Sequence, residues 1–340
     1  MRIMVTGGCG FIGSNFLYML LADKPDVFVC NLDCLTYAGN PANAEDAARR
    51  FAGRYVFERA DIADAPAVER IMEEHRIDAV VNFAAETHVD RSIADASPFL
   101  RANIAGLHVL LQAARRRGLT AFVHVSTDEV YGSLGPLDPA FTEASLLAPN
   151  SPYSASKASA DLLCRAWHET YGFPVIVTRC SNNYGPRQFP EKLIPFMYLR
   201  ACSDQPLPLY GDGGNVRDWI HVLDHCRGIW LALTGGRPGA VYNFGGGAER
   251  SNLDVVRRIL DFCGRPESLI RFVADRPGHD FRYAMDYSLA RRELGFTPSF
   301  SFERGLEETL GWYRDNAPWV AGVTSGAYRS FVDSWYGGRL

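Results

Sequence analysis

The chain has 340 residues, 47% of them hydrophobic and 22% charged, which is typical of one large α/β domain or of a large domain with a smaller one attached. Its formal net charge of −4 offers no basic surface to nucleic acid or to an anionic membrane. The sequence contains no apolar run of the roughly 18 residues that a membrane span needs, and no signal-peptide pattern at its N-terminus. These features predict a cytoplasmic globular protein without nucleic-acid or membrane partners.

The eight cysteines are scattered along the chain, and none forms a CxxC pair. Several, including Cys30 and Cys180, lie in apolar, strand-like segments. We therefore predict reduced and mostly buried thiols, as in a cytosolic protein. Ligand pairs at zinc-site spacing are absent from the sequence, so no metal site is predicted.

In the first half of the chain, short apolar segments alternate with helix-like segments. The helix-like segments include "FIGSNFLYMLLAD" and "NIAGLHVLLQAARRRG", and the second ends in basic residues and a glycine, as helix C-termini prefer. Near-continuous apolar strands that alternate with helices predict a doubly wound parallel sheet, covered by helices on both faces. The strands are predicted at 2–7, 27–33, 55–62, 79–85, 121–127 and 174–180.

After about residue 180 the pattern changes. Proline and glycine interrupt segments such as "NNYGPRQFPEKLIP" and "QPLPLYGDGGNVRDW", and one helix is predicted at 251–262. We predict a first domain over residues 1–180 and a smaller C-terminal lobe over residues 181–340. The lobe should be interleaved with the first domain, because no linker or charge run separates them. A cleft between the two parts is the expected ligand site.

Three glycines directly follow the first predicted strand. In "GGCGFIG", Gly7, Gly10 and Gly13 have the spacing that lets a tight turn bring the backbone close to a pyrophosphate at a helix N-terminus. Asp33 lies 20 residues after Gly13, at the end of the second strand, where a carboxylate binds ribose hydroxyls and repels a 2′-phosphate. Glycines also occur in ordinary turns, but their place between a strand and a helix favours dinucleotide binding. The pattern predicts NAD rather than NADP as the cofactor.

A second group of motifs follows the fifth predicted strand. "YSASK" places Tyr153 and Lys157 four residues apart on one helix face, where an ammonium lowers the pKa of a phenol and makes it a usable base. By spacing alone, a surface Tyr/Lys pair is the simpler interpretation. In "HVSTDEVYG" the strand ends in the hydroxyl residue Thr127, which favours a catalytic role for the pair. Asp128 and Glu129 come next, and two adjacent carboxylates are costly to bury unless a site uses them.

These motifs together resemble the extended short-chain dehydrogenase/reductase family, whose catalytic set is a Ser/Thr, a Tyr and a Lys on a Rossmann fold. "VSTDEVYG" narrows the resemblance to the nucleotide-sugar 4,6-dehydratases, most closely those that act on dTDP-glucose, because ordinary epimerases of the superfamily lack the acidic pair. The similarity extends from residue 1 to about residue 315. Other segments that carry it are "LDCLTYAGN", "NFAAETHVDRS", "SPYSASKASADLL", "TRCSNNYGPRQFPEKLIP", "PLPLYGDGGNVRDWIHV" and "DRPGHDFRYAMD".

The resemblance implies a hydro-lyase that retains NAD and converts a nucleotide-linked hexose to a 4-keto-6-deoxy sugar. Tyr153 would take the proton from the 4-hydroxyl while C4 gives hydride to NAD, and Thr127 would hydrogen-bond the 4-oxygen. Glu129 would then remove the C5 proton, and protonated Asp128 would donate to the departing 6-hydroxyl. NADH would return hydride to C6. An acid and a base side by side need environments that push their pKa values apart.

The resemblance also assigns residues to the cofactor and to the substrate. Lys and Arg suit a diphosphate, Asn suits the amide-like edges of a pyrimidine, and an aromatic ring can stack on the base. Besides the three glycines and Asp33, the expected NAD-binding residues are Phe11, Ile12, Asp61, Ile62, Ala84, Ala85, Tyr153, Lys157 and Asn183. The expected substrate-binding residues are Thr87, Thr127, Asn182, Lys192, Leu193, Pro208, Tyr210, Arg217, Asn243, Arg276 and His279.

The sequence departs from the family pattern at Arg187, Thr87 and Ala102, and the tail "SFVDSWYGGRL" has no counterpart. These departures spare the acid/base set but leave the nucleotide, dTDP or UDP, and the sugar open. Two alternative functions are a nucleotide-sugar 4-epimerase or decarboxylase, which needs no elimination catalyst, and a non-catalytic nucleotide-sensing protein. Helices at about 98–117 and 153–171 have broad apolar faces. In the resembled family they pack as a four-helix bundle, which implies a homodimer.

Overall fold

In residues 1–275 and 278–324, which a computed structural model of the protein describes, the strands form three sheets. The strands in chain order are β1 (Arg2–Thr6), β2 (Phe28–Asp33), β3 (Tyr55–Arg59), β4 (Ala79–Asn82), β5 (Ala121–Thr127), β6 (Val175–Cys180), β7 (Asn182–Tyr184), β8 (Leu207–Tyr210), β9 (Val216–His221), β10 (Val241–Phe244), β11 (Glu249–Ser251) and β12 (Ile270–Val273).

The largest sheet has seven strands in the order β10-β6-β5-β4-β1-β2-β3, and each neighbouring pair is parallel. Thr6 at the end of β1 lies opposite Leu32 on one side and Asn82 on the other. The chain runs outward from β1 in both directions, so the strand order reverses between β1 and β4. This reversal is the topological switch point, beyond whose carboxyl edge ligands bind in doubly wound folds. The predicted fold class is confirmed.

The helices are α1 (Phe11–Asp23), α2 (Ala47–Arg50), α3 (Ala65–Glu74), α4 (Val89–Ala94), α5 (Ser97–Phe99), α6 (Leu107–Arg116), α7 (Pro152–Tyr171), α8 (Leu193–Cys202), α9 (Val222–Gly235), α10 (Asn252–Cys263), α11 (Ser288–Leu294), α12 (Phe302–Asp315) and α13 (Ala317–Val323). Short 3₁₀ helices lie at 41–43, 128–131 and 267–269. Among the described residues, none of the helices combines the length and apolar composition that crossing a bilayer requires.

The helices cover both faces of the large sheet because its strands are apolar on both sides. Ile3 and Val5 of β1 point to one face, where they join the core built with α1 and α9. Met4, between them, points to the other face and packs with α3, α6 and α7. Side chains alternate between faces along a strand, so a near-continuous apolar run fills two cores at once.

The predicted helix at about 98–117 is interrupted. It consists of α5, a π-helical segment from Leu100 to Gly106, and α6 in direct succession. Within the π-helical segment, Asn103 donates hydrogen bonds to the Glu86 carbonyl (3.1 Å) and to Ser156 Oγ (2.8 Å). The wider turn thus places a buried amide between the loop after β4 and helix α7.

The second half of the chain contributes to both parts of the fold. A smaller lobe combines the three-stranded sheet β11-β9-β7 and the pair β12-β8 with a core formed by α8, α10 and α12. However, α9 and β10 return to the large sheet, where β10 pairs with β6 at its edge. Strand β10 was not predicted, because four residues followed by glycines give too short a pattern. Two predicted strands also end early, β3 at Arg59 and β4 at Asn82, where the chain leaves the sheet for its ligand-side loops.

Candidate active site

The first catalytic candidates lie where β5 leaves the sheet. Thr127 is the last residue of the strand, and the chain turns at once into the 3₁₀ helix that begins at Asp128. Thr127 caps this helix, because its Oγ1 accepts a hydrogen bond from the backbone N–H of Glu129 (3.2 Å). The same hydroxyl donates to Asp128 Oδ1 (3.2 Å). The turn therefore fixes one hydroxyl and two carboxyl groups at the carboxyl edge of the sheet.

Asp128 is the more enclosed of the two carboxyl groups. Its side chain is buried, and its Oδ2 has no hydrogen-bond partner among the described residues. Burial raises the pKa of Asp128 well above its usual value, and the negative charges of Glu129 and Asp218 add to the effect. The positive charge of Arg217 works in the opposite direction. A carboxyl group in this environment stays protonated and can donate a proton.

Tyr153 reaches the same point from helix α7, which starts sharply because Ser151 caps it in a reciprocal capping box. The ring is buried, and its hydroxyl is hydrogen-bonded to Thr127. Burial raises the pKa of Tyr153 well above its usual value, and the negative charge of Glu129 is the next cause. The structure thus brings the hydroxyl, the two carboxyl groups and the phenol of the sequence prediction together.

Lys157 corrects one sequence expectation. The i, i+4 spacing does place it on the buried face of α7 with Tyr153. Its Nζ donates to the carbonyl of Val125 (2.8 Å) and lies 3.4 Å from His124 Nε2. The expectation that Lys157 lowers the pKa of Tyr153 is therefore wrong for this arrangement, in which the pKa of the phenol is raised. The reason is that burial of the phenol, followed by the negative charge of Glu129, dominates its pKa.

A buried polar network behind Lys157 was missed by sequence reasoning. Asp161 Oδ2 accepts a hydrogen bond from Arg179 Nε (2.8 Å), and its Oδ1 lies 3.9 Å from His124 Nε2. Burial and the charge of Lys157 lower the pKa of His124 well below its usual value, so the ring is neutral. Burial lowers the pKa of Lys157, and the charge of Asp161 opposes this. The signal was present in the sequence, because Asp161 follows Lys157 by four residues on the same helix.

The glycine turn after β1 has the shape of a dinucleotide cradle. Gly7 has a φ of 68°, and a Cβ there would lie 2.8 Å from the backbone N of Ala84. A Cβ at Gly13 would lie 2.3 Å from the carbonyl oxygen of Gly7. Helix α1 begins at Phe11, and its N-cap Gly10 has no side chain to accept from the N–H groups of the first turn. These donors and the absence of side chains fit a pyrophosphate, so the residues present suit NAD.

Asp33 lies beside this turn at the end of β2. Its Oδ2 accepts from the backbone N–H of Cys9 (2.9 Å) and its Oδ1 from that of Leu35 (2.8 Å). Burial raises the pKa of the carboxyl group, and these two hydrogen bonds counteract the rise. A carboxylate oxygen has two lone pairs, so each oxygen keeps one for a ribose hydroxyl.

The remaining cofactor candidates follow other strands at the same edge. Asp61 and Ile62 come after β3, and Asp61 accepts from the backbone N–H of Ala63 (2.8 Å) and from Arg101 Nη2 (2.8 Å). Ala84 and Ala85 follow β4, next to Gly7. Asn183 lies in β7, and its Oδ1 is 2.9 Å from His225 Nδ1.

Several substrate candidates stand between the sheet edge and the smaller lobe. Asn182 has a buried Oδ1 without a hydrogen-bond partner among the described residues. Lys192 is the N-cap residue of α8, immediately before Leu193, and its Nζ donates to the carbonyl of Thr87 (2.9 Å). Arg217 in β9 is buried, and its positive charge acts to lower the pKa of Asp128. Of these three side chains, Arg217 thus brings a positive charge to the acidic cluster.

Other substrate candidates are placed differently. Tyr210 in β8, close to Pro208, meets His279 edge-on with ring centroids 5.9 Å apart. Asn243 is fully buried in β10, where its Oδ1 accepts from Tyr131 and its Nδ2 donates to the Phe141 carbonyl (3.2 Å). Both polar atoms of the Asn243 amide are therefore hydrogen-bonded within the protein, and its assignment to the substrate stays a prediction. Arg276 lies outside the described residues, as does the C-terminal tail.

A second buried carboxyl group next to these candidates was also missed. Glu191 precedes Lys192 and accepts hydrogen bonds from Tyr37 (3.2 Å) and Arg91 Nε (3.4 Å). His88 Nε2 lies 3.8 Å away. Burial raises the pKa of Glu191. Its neighbours come from two distant segments, so sequence spacing could not reveal the contact.

The profile of the GDP-mannose 4,6 dehydratase family matches residues 4–309. The chain belongs to this family. The dTDP-glucose 4,6-dehydratase 1 of Escherichia coli K12 is 48% identical over the whole of both chains, and the dTDP-glucose 4,6-dehydratase of Streptomyces niveus is 52% identical over 94% of each. These comparisons confirm the resemblance to the nucleotide-sugar 4,6-dehydratases.

Solved structures of members and relatives of the GDP-mannose 4,6 dehydratase family have the same fold. A dTDP-glucose 4,6-dehydratase from Streptomyces venezuelae, with NAD and dTDP bound, is 51% identical and superposes with a TM-score of 0.91 over 95% of this chain and 100% of its own. A UDP-glucose 4-epimerase from Thermus thermophilus, in complex with NAD, is 30% identical with a TM-score of 0.85 over 93% of this chain and 100% of its own. The fold alone therefore does not separate dehydratase from epimerase, and the residues at the end of β5 must do so.

Proposed function

We propose that this protein is an NAD-retaining dTDP-glucose 4,6-dehydratase, a hydro-lyase that yields a 4-keto-6-deoxy sugar. The observation that carries the proposal is the burial of Asp128, whose pKa is raised by that burial and by the charge of Glu129, at the end of β5 near Tyr153. A carboxylic acid next to a second carboxyl group supplies both partners of a water elimination. The high identity to dehydratases across the full chain supports the same substrate.

The first step needs a base at the sugar's 4-hydroxyl. Tyr153 takes that proton, and Thr127, already hydrogen-bonded to Tyr153, holds the 4-oxygen. Gly7, Gly10, Gly13 and Asp33 would hold NAD. The cofactor would supply an acceptor for the hydride from C4 and, once reduced, a hydride donor for C6. Because burial and Glu129 raise the pKa of Tyr153, loss of its proton requires positive charge nearby in the loaded site. Lys157 is the cationic residue on the same helix face, and its Nζ, which here donates to the Val125 carbonyl, would turn toward the phenol to supply that charge.

The second step removes water across C5 and C6. Oxidation at C4 acidifies the C5 proton, and Glu129 removes it. Asp128 donates its proton to the departing 6-hydroxyl, which leaves as water. As hydride later returns to C6, Glu129 gives a proton back to C5, which completes the 4-keto-6-deoxy sugar. Arg217 then steadies the carboxylate that Asp128 becomes, because its positive charge already lowers the pKa of that group. The Thr127 hydroxyl donates to the Asp128 carboxyl group and accepts from the backbone N–H of Glu129, so one turn positions both the acid and the base.

The substrate's nucleotide and diphosphate would be held by the residues between sheet and lobe. Lys192 and Arg217 provide cationic donors for phosphate oxygens, and Asn182 offers a buried amide oxygen that needs a donor. The ring of Tyr210 would stack on the base. Thr87, Pro208, Leu193 and His279 complete this proposed binding surface, to which Asn243 and Arg276 were also assigned by resemblance.

The proposal is tested by product analysis with dTDP-glucose and UDP-glucose supplied separately. We expect a 4-keto-6-deoxy product from dTDP-glucose, formed at least about tenfold more efficiently than from UDP-glucose. The two substrates differ in the methyl group on the base and in the 2′-hydroxyl of the ribose, and one methyl group alone can supply that discrimination. A C4-epimerised sugar without 4-keto product would identify an epimerase. Tight binding of either nucleotide sugar without turnover would identify the nucleotide-sensing alternative.

We further propose a homodimer built from the helices at 97–116 and α7. Large apolar side chains are exposed on these two helices, namely Leu100, Leu162 and Tyr171. Two copies that pack these faces in a four-helix bundle would bury them in an isologous interface. The test is the mass in solution: a dimer is expected at micromolar concentration, and Leu162→Arg should shift it toward monomer. A wild-type monomer would contradict this assembly.

The division of labour between the parts of the chain is also a proposal. Residues 1–180 would bind NAD and carry the acid/base groups, and residues 181–340 would mainly bind the nucleotide sugar, with α9 and β10 interleaved into the first sheet. We propose that the protein works in the cytoplasm, where its eight free thiols would stay reduced.

A further inference from the structure

Two cysteines meet at the ends of neighbouring helices in the smaller lobe. Cys202 is the last residue of α8 and Cys263 the last residue of α10, and these helices pack side by side. Their Sγ atoms are 4.0 Å apart. A disulfide has an S–S distance of about 2.05 Å, so rotation of two side chains at helix ends could close the gap. The pair lies outside the site described above.

The surroundings of the two sulfurs differ from those of an ordinary surface thiol. A hydrogen bond from the Cys263 thiol lowers the pKa of Cys202 to about 6, aided by Tyr198 and by the positive charge of Arg265, while burial opposes them. The pKa of Cys263 is raised, chiefly through its hydrogen bond to Cys202. Near neutral pH one sulfur is therefore a thiolate and its neighbour a thiol.

The other cysteines provide the contrast. All eight lie in the described part of the chain and are free. Cys34 is also exposed, but burial and the negative charges of Asp33 and Asp61 raise its pKa. The five buried ones are Cys9, Cys30, Cys164, Cys180 and Cys226, and burial raises the pKa of each. Cys202 thus combines accessibility, a low pKa and a second thiol within reach.

We propose that Cys202 and Cys263 form a thiol-modification site, which a peroxide-class oxidant converts to a disulfide between α8 and α10. The Cys202 thiolate attacks one peroxide oxygen, the O–O bond breaks, and a sulfenic acid and a hydroxide ion form. The Cys263 sulfur then attacks the sulfenic sulfur, the S–O bond breaks, and its proton leaves with the second oxygen as water. Overall two thiols lose two electrons and two protons, and the peroxide becomes two waters. A thiol reductant reverses the change.

The crosslink would join positions 61 residues apart and hold the end of α8 against α10. Helix α8 begins at Lys192 and Leu193, so the site lies at the opposite end of a helix that the proposed substrate site uses. In the chain-entropy view, a loop of this length should raise Tm by on the order of 5 °C. This inference does not depend on the proposed reaction.

The test treats the full-length, NAD-loaded protein with an equimolar amount of hydrogen peroxide at pH 7. We expect a mass loss of two hydrogens, a peptide that links Cys202 to Cys263, and reversal by dithiothreitol. Cys263→Ser should stop at a sulfenic acid on Cys202 that dimedone traps, and Cys202→Ser should abolish both products. Cys34→Ser is the matched control and should leave the linked peptide unchanged.

Alkylation by iodoacetamide measures the thiolate directly. The rate at Cys202 should rise with a midpoint near pH 6, whereas the rate at Cys34 should keep rising above pH 9. The C-terminal end of α8 disfavours a thiolate, whereas the hydrogen bond from Cys263 favours it. The midpoint therefore measures the balance between the helix end and the hydrogen bond. A midpoint for Cys202 in the ordinary thiol range, or a native protein that forms no linked peptide, would overturn the proposal.

Discussion

The turn after β1 and the end of β5 lie at the same edge of one sheet, but backbone groups form the first and side chains the second. The turn after β1 is made of backbone: Gly7 and Gly13 leave space where a Cβ would collide, and donors come from the start of α1. The end of β5 is made of titratable side chains, and burial and nearby negative charge raise the pKa of both Asp128 and Tyr153.

This difference teaches how each region should respond to substitution. A change in the glycine turn acts through sterics and should alter cofactor affinity or stability. A change at the end of β5 acts through proton transfer and should alter turnover while the fold and NAD content persist. A variant in the glycine turn that altered only turnover, or a variant at the end of β5 that lost NAD, would contradict this distinction.

The largest effect is expected at Glu129. Glu129→Gln keeps the size but cannot accept the C5 proton, so turnover should fall on the order of 10²–10⁴-fold, as for loss of a general base. NAD content and Tm should stay near wild type. Steady-state formation of 4-keto product from dTDP-glucose measures the loss. The exposed Glu267→Gln serves as the control, and turnover equal to that control would remove Glu129 from the mechanism.

The glycine turn should respond next most strongly. Gly13→Ala places a Cβ 2.3 Å from the carbonyl of Gly7, whereas Gly10→Ala places one 3.1 Å from the same oxygen. Overpacking costs about 1–3 kcal/mol, so Gly13→Ala should weaken NAD binding by up to roughly a hundredfold or lower stability equivalently. Gly10→Ala should cost less. Calorimetric titration with NAD, together with Tm, gives the comparison, and equal effects of the two variants would contradict the steric explanation.

A smaller effect on cofactor binding is expected at Asp33, whose charged side chain lies beside the glycine turn. Wild type should bind NAD more tightly than NADP, because the carboxylate would meet the 2′-phosphate with like charge. Asp33→Ala should weaken NAD binding by about tenfold and narrow the preference. The ratio of the two dissociation constants is the readout. A wild-type preference for NADP would show that Asp33 does not bind the ribose.

The smallest effect concerns the pH dependence of folding rather than of turnover. Burial lowers the pKa of His221 to about 4, below its unfolded value near 6.5. Its neutral form therefore contributes stability above pH 6.5, and this is lost as pH falls toward 4. Between pH 7 and pH 5, His221 should lower the free energy of unfolding of the wild type by about 2 kcal/mol. His221→Asn keeps an N-cap acceptor for α9 and should abolish this part of the pH dependence. Urea unfolding at both pH values checks this, and an unchanged difference would exclude His221 as a cause.

Strand pattern and motif spacing predicted the large sheet and the place of the acid/base groups. Continuous apolar runs such as that of β5 can only be buried on both faces, and ligand groups follow strand ends in such sheets. Strand β10 could not be predicted, because its four residues form a strand only through pairing with β6, which the sequence pattern does not show. The π-helical segment at 100–106 likewise has no sequence signature.

Side-chain direction was the second limit. Spacing placed Lys157 correctly on the buried face of α7, but whether its ammonium turns to Tyr153 or to the Val125 carbonyl depends on a strand that sequence pattern does not position in space. The contact of Glu191 with Tyr37 and Arg91 joins residues 154 and 100 positions apart. The fully engaged amide of Asn243 could not be foreseen for the same reason.

The central claim is that Tyr153 serves oxidation whereas Glu129 serves only elimination. The most direct measurement mixes NAD-loaded Glu129→Gln enzyme with dTDP-glucose and follows the near-ultraviolet absorbance of reduced nicotinamide, with Tyr153→Phe alongside. We predict that the absorbance builds up and persists in Glu129→Gln, because oxidation proceeds and elimination stops, and that Tyr153→Phe shows no signal. Solvent deuterium should not enter C5 in the glutamine variant. Rapid turnover without accumulation in Glu129→Gln, or no absorbance in it at all, would contradict this division of roles.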